Sequence, residues 1–518
     1  MNYDTIIVGS GSAGGILAAR LTEDENRSVL LLEAGPDFPT LEQLPDEIRF
    51  AYGHDPNLWA RAFGHETKFG WGYIAKATDQ HPNMLVPRGK LIGGSSAVNA
   101  QIFLRGVPED YDSWAEMGND KWSYRELIPY FRRNEADPDF HDDFHGADGA
   151  IRVRRFREGE FLPEQQAFYD ACRALGYSDC PDHNAPDSTG VGALPLNNAD
   201  GIRWSTTIGY LNPVRHRVNL TVKGNCTVHR VLFEGHRAIG VSVESGGEMF
   251  RVYGDEIIVC AGAIGSPHLL MLSGIGPANH LLENDISVVR DTPGVGQNLR
   301  DHPQVTITLK ANEAFLTNGT EPLLQMGLRY TAGGSNLWND MFILPASYAT
   351  EEGYYRISKS KTFGFYITTC IYLAVGAGEI TLASSDPHEQ PVLDYNYLAG
   401  SFDRDRLREA VRMAVAFTEH EAYEEIVAGC VAPTKDDLMT DAALDEWNMR
   451  EVSTSHHSSS TCKMGPESDP MAVVDQYGKV HGIEGLRVAD ASIMPDCIRA
   501  NTNVTTMVIG ERVADFVR

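Results

Sequence analysis

Basic residues are in short supply. Lys and Arg number 44 against 71 Asp and Glu, a formal charge of −27 over 518 residues. Such a surface repels nucleic-acid phosphate and anionic headgroups, which excludes a general nucleic-acid binder and a polybasic membrane protein. No run of about 18 apolar residues occurs, so no transmembrane segment is expected. The start, Met1-Asn2-Tyr3-Asp4, has no basic n-region and no cleavage site, which reads as no signal peptide. Cysteine is sparse and scattered (Cys172, Cys180, Cys226, Cys260, Cys370, Cys430, Cys462, Cys497), with no CxxC and no finger spacing. Reduced thiols in a cytoplasmic protein, and no structural zinc, are the expectation. Repeats and low-complexity segments are missing too. The remaining composition, 42% hydrophobic and 22% charged, is that of a folded globular chain long enough for two to four compact units.

The first forty residues predict a βαβ unit. Thr5-Ile6-Ile7-Val8 reads as a buried strand, and Gly9-Ser10-Gly11-Ser12-Ala13-Gly14 as a turn into the helical run Gly15 to Leu21. Ser28 to Glu33 is a second apolar strand closing on an acid. GxGxxG alone is a weak signal, but here it follows a strand, opens a helix and is answered by Glu33. Gly9 permits the tight turn, Gly11 lets a pyrophosphate approach the backbone, and Gly14 lets the helix pack on the strand. The helix N-terminus, with Ser12 and Ala13 in the turn, offers N–H donors and positive dipole to phosphate. Glu33, followed by Ala34, accepts from ribose hydroxyls and repels a 2′-phosphate. These features exclude an NADP-type ribose and leave NAD and FAD open.

Further along, 41–85 reads as extended loops and 115–200 as polar with short helices such as Glu164 to Leu175. Val218–Val222 and Thr227–Leu232 alternate as strands, with Ala238–Val243 and Arg251–Cys260 as hairpin partners. Strand Val305–Leu309, aromatic segment Phe363–Tyr372 and helix Asp403–Thr418 follow. The chain ends in strand Leu486–Ala489 and an amphipathic helix, Thr502–Phe516.

Three more segments carry a resemblance. Arg88-Gly89-Lys90-Leu91-Ile92-Gly93-Gly94-Ser95-Ser96-Ala97-Val98-Asn99 resembles the first signature of the glucose–methanol–choline (GMC) oxidoreductases. Gly262 to Gly276 resembles the second. His457-Ser458-Ser459-Ser460-Thr461-Cys462-Lys463-Met464-Gly465, with Gly485 to Ser492, is similar to the C-terminal block. The resemblance implies a mixed α/β fold: a Rossmann-like FAD-binding domain (about 1–150, 201–301 and 455–518) and a substrate domain of sheet plus helices (about 151–200 and 302–454). It implies oxidation of a small-molecule alcohol to a carbonyl by hydride transfer to FAD, with oxygen, a quinone or another carrier as acceptor. Hydroxynitrile lyases and photodecarboxylases share the scaffold and form the rival reading. By resemblance, Arg88, Gly93, Gly94, Ser95, Asn99, Ala100, Val228, Ala261, Asp490, Ala491, Asn503, Val504 and Thr505 line the cofactor path. Where some relatives carry a histidine linked covalently to the flavin, this chain has Val98, so FAD is expected to be non-covalent.

Alcohol oxidation needs a base for the hydroxyl proton, and imidazole, with an ordinary pKa of about 6.5, suits it. By resemblance His457 is that base and Asn503 its partner, an amide that orients but accepts no proton. His456 is a candidate substrate contact, and Tyr366 a candidate pocket wall beside the plainer reading of a core strand residue. Ser458-Ser459-Ser460 lacks a GxSxG elbow, which argues against a hydrolase. His456 and His457 are adjacent and lack an evident third ligand, so no metal is expected.

Overall fold

The structure, a computed structural model, describes residues 2–53, 55–353 and 355–518. Two seven-stranded sheets organise it. The first runs in the order Leu220–Lys223, Val29–Leu32, Asn2–Val8, Glu248–Val259, Arg237–Ser245, Thr227–Glu234, with Leu486–Val488 also paired to Glu248–Val259. Its centre is parallel: Asn2–Val8 pairs in register with both Val29–Leu32 and Glu248–Val259. Ile6, Ile7, Val29 and Leu31 are fully buried, as strands covered on both faces require. The last three strands of that order form an antiparallel meander at one edge. Leu220–Lys223 does not join the meander as its alternation predicts; it pairs in parallel with Val29–Leu32.

The turn after Asn2–Val8 needs its glycines. Gly9 has φ +97°, and a Cβ on Gly14 would lie 1.9 Å from the Gly9 carbonyl oxygen. That close approach lets the helix Gly14–Leu21 begin directly on the strand end.

The second sheet is antiparallel, in the order Val427–Ala432, Pro303–Ala311, Gly364–Ile371, Met341–Ala349, Met326–Tyr330, Gly190–Ala193, with Ser453–Thr454 also paired to Pro303–Ala311. The helix Ser401–Thr418 packs on Gly364–Ile371. The segment read as loops contains short helices Asp46–Arg49 and Leu58–Phe63. The second of these brings Trp59 and Phe63 to the cavity between the sheets. All eight cysteines are unpaired. Among the described residues no helix is long and apolar enough to cross a membrane.

Candidate active site

One elongated cavity runs from the end of Val29–Leu32, past the glycine turn, to the face of the antiparallel sheet. Three helices open on it through their N-termini: Gly14–Leu21, Gly262–Leu272 and Thr502–Val517. Their N-cap residues, Ala13, Ala261 and Asn501, make no side-chain cap bond. N-terminal N–H groups without caps leave donors and positive dipole for an anionic ligand. Gly262 donates its N–H to Asp490, whose carboxylate also accepts from Ser266 Oγ and Ser492 N. The cradle is open where the ligand must pass: a Cβ on Gly262 would meet nothing within 4 Å, and one on Gly11 only Gly94 Cα at 3.9 Å. Asn503 Nδ2 is buried without a partner at the same cavity. These residues fit a dinucleotide.

Most of the expected cofactor residues line this cavity: Gly9, Gly11, Ser12, Ala13, Glu33, Ala34, Arg88, Gly94, Ser95, Asn99, Ala100, Val228, Ala261, Asp490, Ala491 and Asn503. Others stand behind it. Gly14 packs against Gly9, and Gly93 donates its N–H to Ser10. The Val504 side chain is fully buried in the core, and Thr505 Oγ1 bonds the Tyr111 hydroxyl at 2.7 Å, so neither side chain reaches the cavity. Glu33 also makes contacts that its position in sequence hides. It accepts from Ser10 N, Ser10 Oγ and Gly35 N, tying the glycine turn to the neighbouring strand end. Burial raises its pKa against those hydrogen bonds.

At the other end lie His456, His457 and Asn501, walled by Trp59, Phe63, Leu323, Leu324, Leu344, Tyr355, Thr368 and Cys370. Tyr366 is not among the lining residues. It sits on the same face of Gly364–Ile371 as Thr368 and Cys370 but farther from the cavity, and its hydroxyl donates to the Thr350 carbonyl. His456 has φ +69°, and its Nε2 lies 3.0 Å from the Tyr355 hydroxyl. Burial, with the Arg88 guanidinium nearby, lowers its pKa to about 3.

The partner of His457 is Asn501, not Asn503. Asn501 Nδ2 is 2.9 Å from His457 Nε2, whereas Asn503 Oδ1 accepts from Ser12 Oγ at 2.7 Å. The helix starts at Thr502, so the N-cap Asn501 has non-helical backbone and projects toward the antiparallel sheet. Asn503, two residues later and so on the other side of the helix end, projects toward the glycine turn.

A residue that sequence reasoning missed completes the arrangement. His302 Nδ1 lies 2.8 Å from His457 Nδ1, and His302 Nε2 lies 2.7 Å from the Ile498 carbonyl oxygen. A carbonyl only accepts, so His302 carries its proton on Nε2. Burial lowers the His302 pKa to about 3, so the ring is neutral and its Nδ1 is a lone pair. His457 must then hold its own proton on Nδ1. Its pKa is pushed well below 6.5 by burial and by His302, His456 and Arg88, so its Nε2 is also a lone pair. Asn501 meets that lone pair with an N–H, and its Oδ1 lies 3.3 Å from the Tyr372 hydroxyl. The chain from Ile498 to Asn501 thus fixes one tautomer of His457, with an unprotonated nitrogen at the cavity. Only geometry reveals this, because His302 and His457 are 155 positions apart.

Residues 3–304 and 374–510 match the two family profiles described as GMC oxidoreductase. The chain is 36% identical to the mitochondrial choline dehydrogenase of Mus musculus, covering 100% of this chain and 89% of that protein. It is 35% identical to an "uncharacterized GMC-type oxidoreductase" of Rhodococcus erythropolis, covering 99% and 97%. Among solved structures, pyridoxine 4-oxidase from "Mesorbium loti" superposes with a TM-score of 0.89 at 29% identity, covering 99% of both chains. With its glycine turn, its three helix N-termini and its C-terminal histidine on one cavity, the chain belongs to the GMC oxidoreductase family.

Proposed function

We propose that this FAD-dependent oxidoreductase oxidises an uncharged alcohol with an apolar or aromatic body to the carbonyl, with His457 as base. The observation that carries the reading is the geometry of His457, with Nδ1 2.8 Å from His302 Nδ1 and Nε2 2.9 Å from the Asn501 amide, facing an apolar and aromatic wall. Gly11, Ser12, Ala13, Ala261 and Asn503 would hold the pyrophosphate path, with Glu33, Ala34 and Val228 at the adenosine end. When bound, FAD supplies the acceptor for the hydride of the alcohol carbon. His457 Nε2 takes the hydroxyl proton once the substrate hydroxyl replaces the Asn501 N–H at that lone pair, and Asn501, an amide that accepts no proton, then orients the substrate oxygen. Val98 has no nucleophilic atom, so the cofactor is held non-covalently.

The charge of the pocket supports a neutral substrate. The carboxylates lining the cavity among the described residues are Glu33 and Asp490, both toward its nucleotide end. The substrate end has Arg88 instead, close enough to lower both His456 and His457. Asp301 lies beneath it, saturated by the Thr454 and Tyr397 hydroxyls and the backbone N–H groups of His302 and His457. A quaternary ammonium would meet a cation there. Anaerobic mixing of the holoenzyme with aliphatic alcohols, aryl alcohols and choline tests this. Bleaching of the flavin band by neutral alcohols is expected. Bleaching by choline in preference to all of them would overturn the substrate class, and no bleaching by any alcohol would overturn oxidation in favour of non-redox chemistry. Running the productive alcohol with oxygen and with a dye acceptor then separates oxidase from dehydrogenase.

A further inference from the structure

Outside the cavity, three side chains from distant parts of the chain converge on one point. His229 Nε2 and His388 Nε2 each lie 2.9 Å from the same oxygen, Glu244 Oε2. The three atoms all fall within 4.8 Å of one another. His229 belongs to Thr227–Glu234 and Glu244 to the neighbouring Arg237–Ser245. The ladder slips between Ser242 and Val243, which pair with Arg230 and Val228, so His229 is the extra residue of a β-bulge. Bulges re-aim a side chain, and this one turns an imidazole toward Glu244. His388 comes from a loop folded on itself, its N–H on Asp386 Oδ1 and Ser384 Oγ on Glu389.

We propose that His229, Glu244 and His388 bind a divalent transition-metal ion of the Zn²⁺ class. Two imidazole nitrogens and a carboxylate oxygen are a borderline donor set, which suits Zn²⁺, Co²⁺ or Ni²⁺ and not Ca²⁺ or Mg²⁺. Tetrahedral bonds of about 2.0–2.1 Å place ligand atoms about 3.3 Å apart, so the two 2.9 Å contacts open by a few tenths of an ångström and the two imidazole nitrogens, within 4.8 Å of each other, settle to the same spacing. His388 can supply that movement, since its side chain is 59% exposed, while His229 is held in place at 13%. Three protein ligands leave a fourth position to water. The site ties the 384–389 loop to the meander at the adenosine end of the cavity, where Thr227, Val228 and Pro387 are lining residues. Sequence spacing gave no sign of it, because 144 positions separate Glu244 from His388.

The test is calorimetric titration of chelator-treated, tag-free holoenzyme with Zn²⁺. One ion per chain is expected, with affinity unaffected by excess Mg²⁺. His388→Ala, a surface change that leaves the fold intact, should weaken binding at least about 100-fold, since even losing a ligand's outer partner costs 10–100-fold. Glu244→Gln should weaken it as well, and the exposed His216→Ala should change nothing. Co²⁺ should give a visible band beyond the flavin absorption in the wild type and not in His388→Ala. Equal Zn²⁺ binding by wild type and His388→Ala, or no binding by either, would overturn the proposal and leave Glu244 as no more than a polar contact shared by the two imidazoles.

Discussion

His302→Leu removes the acceptor that fixes the tautomer of His457 while keeping the side chain close to isosteric and apolar. His302 is 1% exposed, so no bulk water replaces the lost nitrogen. The Nδ1–H of His457 is then buried without a partner, which costs about 1–3 kcal/mol. The ring escapes that cost by moving its proton to Nε2, which closes the lone pair facing the cavity. At about 1.36 kcal/mol per decade, the rate of flavin reduction should fall roughly five- to 150-fold. Binding of the alcohol should change little, because His302 does not line the cavity. His302→Gln, whose amide oxygen can accept from Nδ1–H, should recover much of the loss. Anaerobic stopped-flow reduction across alcohol concentration separates the limiting rate from the apparent dissociation constant. A His302→Leu enzyme, folded and FAD-loaded, that reduces at the wild-type rate would refute the tautomer argument.

Other expected outcomes follow from the same contacts. Asn501→Ala should slow flavin reduction by about five- to tenfold by removing the amide that orients the substrate oxygen, whereas Asn503→Ala should weaken FAD retention and leave the limiting rate nearer normal; parallel stopped-flow and flavin-release assays distinguish them. Glu33→Ala strands Ser10 N–H and Gly35 N–H as well as any ribose hydroxyl, so the FAD dissociation constant should rise about ten- to hundredfold, and an unchanged value would show that Glu33 only braces the turn. Acid precipitation should leave yellow FAD in the supernatant and a colourless pellet, as expected with Val98 in the linking position; colour held in the pellet would sink the non-covalent assignment.

The nucleotide half of the site was legible because its chemistry is local. Gly9, Gly11 and Gly14 act through backbone geometry at adjacent positions, and Glu33 closes the next strand, so one short window carries the whole argument. Even there, the bonds from Ser10 and Gly35 to Glu33 stayed hidden, since they depend on how the strand ends meet. At the other end of the cavity, the sequence pointed to His457 but not to the side chains that hold it. Choosing Asn503 over Asn501 turns on where the helix begins, and boundaries are the least readable feature of a sequence. His302 sits before Pro303 at the start of a strand, and nothing local marks it as touching a residue near the C-terminus. Tyr366 had the right strand and the right face but lay one repeat too far from the cavity. The His229 cluster needed a bulge and a loop contact, neither of which has a period to detect.

His457 is the base of the proposed reaction, held neutral above all by burial. The deciding measurement is the limiting rate of flavin reduction, wild type against His457→Ala, taken anaerobically across pH with FAD content matched. Because the folded pKa is depressed, the imidazole is already unprotonated above its ordinary 6.5, so the wild-type rate should be flat there and fall only toward acid. The alanine variant should be slower by about 10²–10⁴-fold and lose the acid limb. Reduction at close to the wild-type rate by a folded, flavin-loaded His457→Ala enzyme would contradict the assignment.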